Sequence, residues 1–141
     1  MPQHCNQECT PATFRPCELH HVRWLDWEED FVAVNKFWFQ PLSMEEWLSF
    51  RDMQYRYCAV IESASICSIA ALWRYSDSAW EVAAVKTSPE HQRRGLGKSV
   101  VSFVTRAILA EGRLATCLTA SENLPMQKTA QSVGFYHAPR R

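Results

Sequence analysis

The chain carries no net charge at neutral pH: fifteen acidic side chains balance fifteen lysines and arginines over 141 residues. That balance argues against a general electrostatic affinity for nucleic acid or anionic lipid, and any basic patch must be local. No apolar run approaches the length of a membrane span. The first residues, with Glu8 among scattered polar side chains, also lack the charged-then-apolar profile of a secretory signal. No two of the six cysteines form a Cys-x-x-Cys pair. Together with the missing signal, this reads as reduced thiols and a cytoplasmic setting. Internal repeats and low-complexity linkers are missing as well.

What is present is material for a core. Hydrophobic residues make up 47% of the chain and include six tryptophans, enough for one globular domain without disulfides or a structural metal. The organisation expected is a polar, proline-punctuated tail over 1–13 and a single domain over 14–141. His4, Cys5, Cys9, Cys17, His20 and His21 cluster in sequence, but their spacing fits no standard zinc pattern, and no metal is expected. Cys58, Cys67 and Cys117 fall in predicted strands, where cysteine behaves as a small buried hydrophobe.

Phe14 to His20 reads as a first strand. From Asp26 to Phe39, Trp27, Phe31, Val34 and Trp38 recur at three- and four-residue intervals behind Glu28, Glu29 and Asp30, which suits a helix ended by Pro41. Ser43 followed by Glu46 is a capping-box signature for a second helix carrying Met44, Trp47 and Leu48. Tyr57–Ile61, Ile66–Tyr75 and Ala79–Val85 are rich in β-branched and aromatic residues, separated by polar turns, and predict three antiparallel strands. Val100, Phe103, Val104, Ala107 and Ile108 then form one face of a crossover helix over Leu96–Ala110, stopping at Gly112. A strand over Leu114–Thr119, a helix over Pro125–Ser132 and a strand from Phe135 to His137 close the chain. The fold class is α/β (α+β), a central mixed, mostly antiparallel sheet flanked by helices.

The junction between the third of these strands and the crossover helix, Val85-Lys86-Thr87-Ser88-Pro89-Glu90-His91-Gln92-Arg93-Arg94-Gly95-Leu96-Gly97-Lys98, is the most informative stretch. Glycine permits close backbone approach, and the first amides of a helix have no internal partners, so the two together can cradle a phosphate. Arg93, Arg94 and Lys98 add positive charge at the same point. The plain alternative is an ordinary helix start with a solvated basic turn. There is no Gly-Lys-Ser/Thr ending of a nucleotide P-loop, and no Gly-x-Gly-x-x-Gly after an initial strand.

The segment Gln92 to Gly97 resembles the Gln/Arg-x-x-Gly-x-Gly/Ala signature of the GNAT superfamily of N-acetyltransferases. The strand ending in Pro89-Glu90 before it, and Asn123 standing eleven residues ahead of Gly134-Phe135, extend the resemblance over roughly 57–135. It implies that amides around Arg93 to Lys98 bind the pyrophosphate of acetyl-coenzyme A and that Val85, Lys86 and Thr87 bond its pantetheine arm. By the same resemblance Asn123 reaches that arm, although an asparagine before a helix is equally an N-cap.

Acetyl transfer to an amine needs a group that accepts the amine's proton. Glu81 matches in position the strand glutamate that serves as general base in histone acetyltransferase members. Trp80 and Val82 beside it offer an apolar setting that raises a carboxylate pKa; a glutamate on the wet face of a strand is the plain alternative. Where many members place a tyrosine four residues before Gly-Phe, this chain has Ala130. The proton donor to the thiolate therefore stays open between Tyr136, Ser132 and a water. The acceptor wall is expected from the N-terminal helices and middle strands, with Trp24, Trp27, Trp38, Trp47 and Trp73 as candidates, most of them expected in the core. The resemblance implies an enzyme acting on a small-molecule or protein amine. A non-catalytic acyl-coenzyme A sensor is the second reading, and an open sheet edge after Tyr136 points to a homodimer.

Overall fold

The computed structural model describes residues 4–38 and 40–138. In chain order the elements are β1 His4–Cys9, β2 Arg23–Trp24, α1 Phe31–Phe37, α2 Met44–Asp52, β3 Tyr55–Glu62, β4 Ser65–Trp73, β5 Ala79–Thr87, a short 3-10 turn Pro89–His91, α3 Leu96–Ala110, β6 Leu114–Ala120, α4 Leu124–Val133 and β7 Tyr136–His137. The strands form one sheet in the order β2-β3-β4-β5-β6-β1-β7. Every pairing is antiparallel except β5 with β6. That parallel pair needs a crossover, and α3 supplies it.

The middle strands, α3, β6 and α4 lie where periodicity places them. Ser43 closes the expected capping box: its hydroxyl accepts from the Glu46 N–H at 3.0 Å, and the Glu46 carboxylate accepts from the Ser43 N–H at 2.8 Å. The β3–β4 hairpin turns through Ser63 and Ala64, both at positive φ (50° and 65°), the geometry of a tight two-residue turn matched to strand twist.

The N-terminal third departs from expectation. Residues 14–20 are not a strand, and 4–9 are not a tail: β1 lies between β6 and β7, with His4 paired to Ala120 and Cys9 to Ala115. Polar residues at its centre hid it. Gln7 is fully buried, yet its amide donates to Gln127 O at 3.4 Å, and the Gln127 amide donates to Ala120 O and Ser121 O at 3.1 and 3.0 Å. The first helix is also shorter than 26–39. Asp26 accepts from the Glu28 and Glu29 N–H groups at 2.9 and 2.7 Å, and Asp30 is held by Arg23 at 2.9 Å, so this acidic stretch stabilises a turn ahead of α1. Its predicted last residue, Phe39, lies outside the described residues, as do 1–3 and 139–141.

The lead after β1 is anchored on the helices. The Arg15 N–H donates to Val133 O at 2.8 Å and the Cys17 N–H to the Ser102 hydroxyl at 2.9 Å. Gly134 caps α4 at φ 109°, and a Cβ there would stand 2.1 Å from Thr13 O. The glycine of the Gly-Phe pair is thus required both by its left-handed backbone and by the lead pressed against it.

The sheet has a core on each face. Cys58, Leu72, Trp80 and Val82 pack with Val100, Val101, Val104 and Ile108 of α3, while Tyr57, Ala59, Ile69 and Ala71 pack with Val34 of α1 and Trp47 of α2. Cys58, Cys67 and Cys117 are buried as expected. Among the described residues no helix is long and apolar enough to cross a membrane.

Candidate functional site

The strand-to-helix junction forms an open cradle. Arg93 and Gly95 both take left-handed backbone, φ 67° and 78°, which turns successive amides to one side in the manner of an anion nest. No side chain caps α3; its N-cap is Gly95. The first internal bond runs from the Ser99 N–H to Gly95 O at 3.1 Å, so the amides ahead of it belong to the group a helix cannot satisfy internally. A Cβ on Gly97 would stand 3.7 Å from Thr87 Oγ1 and 3.8 Å from Thr129 Cγ2, ordinary contacts. The protein itself therefore tolerates a side chain at 97, and what glycine keeps open there is the cleft.

That cleft, about 510 Å³, is lined by Val85, Lys86, Thr87, Gln92, Arg93, Gly95, Leu96, Gly97, Lys98 and Asn123. Ten of the eleven residues proposed for the donor are thus brought together. The exception is Arg94, which turns away and bonds both carboxylate oxygens of Glu62 at 2.7 and 3.2 Å. His91, Pro125, Met126 and Thr129 complete the lining and were not anticipated. The signal available for the last two was their helical spacing after Asn123, which puts all three on one side of α4. Asn123 is the N-cap of α4, accepting from the Met126 N–H at 3.3 Å, and it lines the cleft as well.

A second cavity of about 270 Å³ adjoins the first, sharing Val85, Asn123 and Met126, and runs between β5 and β6 to Glu81. It exists because the parallel pairing of β5 with β6 stops at Glu81 and Thr116. Beyond that point β5 is distorted: Ala84 has φ 54°, and the β4–β5 register shifts between Ile69 and Ala71. A bulge of this kind re-aims a strand and ends its pairing.

Glu81 is half-buried, and burial pushes its carboxyl up to about 7. The cause is not the one expected. Trp80 and Val82 point to the α3 face, as alternation requires. On its own face Glu81 has Trp73 and Thr116 as register partners. The Tyr75 hydroxyl lies 3.1 Å from the Thr116 hydroxyl, so the Tyr75 ring reaches from beyond β4 across β5.

Tyr136 is not brought to the cleft. It sits on β7, paired with Glu8 of β1, and lines a separate shallow cavity with Arg15 and Gln131. Ser132 is exposed on α4, and Ala130 is buried in the core. Of the tryptophans, Trp24 packs on the opposite face against Phe103 of α3, and Trp47 is fully buried. Trp38 lies beneath Lys86, whose ammonium is 5.9 Å from its ring.

The N-terminal histidines and cysteines do not assemble. Cys9 is buried, Cys5 contacts His137 Nδ1 at 3.2 Å, and the His20 ring bonds Arg94 O at 2.8 Å. Glu62, Cys67 and His91 do bring potential metal donors within 4.8 Å of one another. The Arg94 guanidinium, however, holds the Glu62 carboxyl below its usual range and already occupies both of its oxygens.

Residues 64–140 match the family described as FR47-like protein, more than half of the chain, and the protein belongs to that family, within the GNAT superfamily of N-acetyltransferases. Solved structures agree in fold. A putative GNAT-family acetyltransferase from Novosphingobium aromaticivorans aligns with TM-score 0.73 and 18% identity over 96% of this chain and 60% of that one. A GNAT-family acetyltransferase from Colwellia psychrerythraea aligns with TM-score 0.79 and 14% identity over 98% and 53%. AAC(6')-Iy, in complex with the bisubstrate analogue CoA-S-monomethyl-acetylneamine, aligns with TM-score 0.67 and 17% identity over 86% and 93%. The chain thus spans a little over half the length of the first two. No curated protein matches the sequence.

Proposed function

We propose that the protein is an acyl-coenzyme A-dependent N-acetyltransferase that moves an acetyl group from acetyl-coenzyme A to an amine. One observation carries the reading: an uncapped helix start with basic residues opens onto a cleft that leads between parted strands to a carboxyl group titrating near neutrality. The amides from Gly95 to Lys98, with Arg93 and Lys98, would hold the pyrophosphate. The edge of β5 at Val85 to Thr87, with Asn123, would hold the arm. The donor supplies an activated carbonyl carbon. Glu81 takes the proton that the attacking amine must lose, and a group half ionised near pH 7 suits that task. A thiol with an ordinary pKa near ~8.5 leaves with little help, which is consistent with Ala130 standing where many relatives have a tyrosine. Six unpaired cysteines fit a reducing, cytoplasmic compartment.

The second reading, an acyl-coenzyme A sensor without chemistry, is favoured by Ala130 alone. Calorimetric titration with acetyl-coenzyme A separates the outcomes. Saturable binding is expected, weakened at least ~100-fold by Gly95→Pro, because proline removes an amide and fixes φ near −65° where the loop needs 78°. Binding by the native chain without turnover of any amine would leave the sensor. No binding at all would reduce the loop to an ordinary basic helix start.

A further inference from the structure

Among the described residues, one group of three metal-donor side chains closes to within 4.8 Å: the Glu62 carboxylate, the Cys67 thiol and the His91 ring. The fold assembles them from elements that no short sequence spacing links. Glu62 ends β3 and Cys67 stands near the start of β4, so the hairpin turn through Ser63 and Ala64 brings these two together. His91 closes the 3-10 turn that follows β5. That turn is pinned to Cys67 by the Ser88 N–H, which donates to Cys67 O at 2.9 Å. The Ser88 hydroxyl lies 2.6 Å from His91 Nδ1. It orients the ring and leaves Nε2 to an ion, the outer-shell arrangement that metal-bound imidazoles commonly have. A cavity of about 280 Å³ bordered by Ser65, Ser88 and His91 opens beside the group.

Thiolate, imidazole and carboxylate together suit zinc, whereas magnesium and calcium take oxygen donors. Zinc bonds of ~2.0–2.3 Å in a tetrahedron set the donors about 3.5 Å apart, so the three need close by only about 1 Å. What opposes an ion is Arg94, which bonds both Glu62 oxygens. That pair is 40% exposed on both sides, and an ion pair so open to solvent contributes little. It is a latch that a metal can displace. We propose that Glu62, Cys67 and His91 form a zinc site, shut by Arg94 in the metal-free protein and opened when its guanidinium leaves Glu62. On binding, the Cys67 thiol gives its proton to solvent and the Glu62 carboxylate exchanges the guanidinium for the ion. The ion then ties the β3–β4 hairpin to the segment that leads into the donor cradle. None of this depends on the acetyltransferase reading.

The test titrates the reduced, chelator-stripped full chain with zinc against a chromophoric chelator. One ion per chain is expected, at sub-micromolar affinity. Cys67→Ala should weaken it by at least ~100-fold, since loss of an outer-shell partner alone costs about 10–100-fold. Glu62→Gln should weaken it as well. Arg94→Ala should instead tighten zinc by about two- to fivefold, because the competing ion pair is gone. Glu62 and Arg94 are surface residues, so their variants carry the test should Cys67→Ala fail to fold. Cobalt in place of zinc should give thiolate-to-metal charge transfer in the native chain and none in Cys67→Ala. Zinc should raise Tm, and magnesium should not. Binding that survives Cys67→Ala, which would move the ion to Cys5 and His137, no binding at micromolar zinc, or weaker binding by Arg94→Ala would each overturn the proposal.

Discussion

The two faces of the sheet are built from different materials. Against α3 the strands present cysteine, valine, leucine and a single tryptophan to Val100, Val101, Val104 and Ile108. Against α1, α2 and the turn ahead of them they present tyrosine, alanine and isoleucine to Trp27, Trp47 and Phe50. The difference is sharpest within β5, where Trp80 and Val82 enter the first core while Glu81, one residue away, faces the second side. The aliphatic face fixes the helix whose N-terminus makes the donor cradle. The aromatic face holds the carboxyl group proposed as the base. Strand alternation thus puts the core beneath α3 and the carboxyl group on opposite sides of one strand.

The largest effect is expected from the reactive side. Glu81→Gln should lower kcat/KM by about 10²–10⁴-fold, the usual worth of a positioned base. In the native enzyme kcat/KM should rise with pH up to about 7, as Glu81 ionises, and then level until the amine's own pKa intervenes. The variant should lose that limb. Stability moves in the opposite sense. The folded carboxyl holds its proton more tightly than an unfolded one near 4.5, so its favourable contribution is complete below about 4.5 and is lost as pH rises through about 7. Glu81→Gln should flatten this fall in a series of urea melts. An unchanged pH–rate profile would remove Glu81 as the base.

On the other face the cost should fall on stability alone. Ile108 is fully buried beneath the sheet, and Ile108→Ala should destabilise the fold by about 2–5 kcal/mol. Turnover per folded molecule and the pH profile should stay as they are. A change in amine preference from this substitution would show that the faces are coupled and would blur the comparison.

The division also explains what could be read in the sequence. α3, β4 and β5 were legible because burial imposes a strong period on Val100, Val104 and Ile108 and on the alternation around Trp80 and Val82. The cradle was legible because glycine at 95 meets a local backbone requirement and glycine at 97 keeps the cleft open. β1 was not, because Gln7 is a polar residue buried through a partner far along the chain, and no local pattern encodes Gln127 or Ala120. The source of Glu81's raised pKa was misread for a related reason: its neighbours in sequence lie on the far face, and its surroundings come from β4 and β6. Tyr136 could not be placed from sequence, because the order of the sheet sets β6 and β1 between its strand and β5.

Arg94 gives the smallest effect and the finest test. Its sequence position made it as good a phosphate ligand as Arg93, but its guanidinium is bound to Glu62 on the surface, both side chains being 40% exposed. An ion pair that open to solvent contributes little and is screened by salt. Arg94→Ala should therefore leave Tm within error and coenzyme A affinity within about twofold. Arg93→Ala removes a charge from the cleft itself and should weaken affinity by roughly tenfold at low salt, with the loss shrinking as ionic strength rises. If Arg94→Ala is instead the more damaging, the guanidinium must leave Glu62 when the anion arrives, and the cradle would be remade on binding rather than standing ready as the strand and helix now hold it.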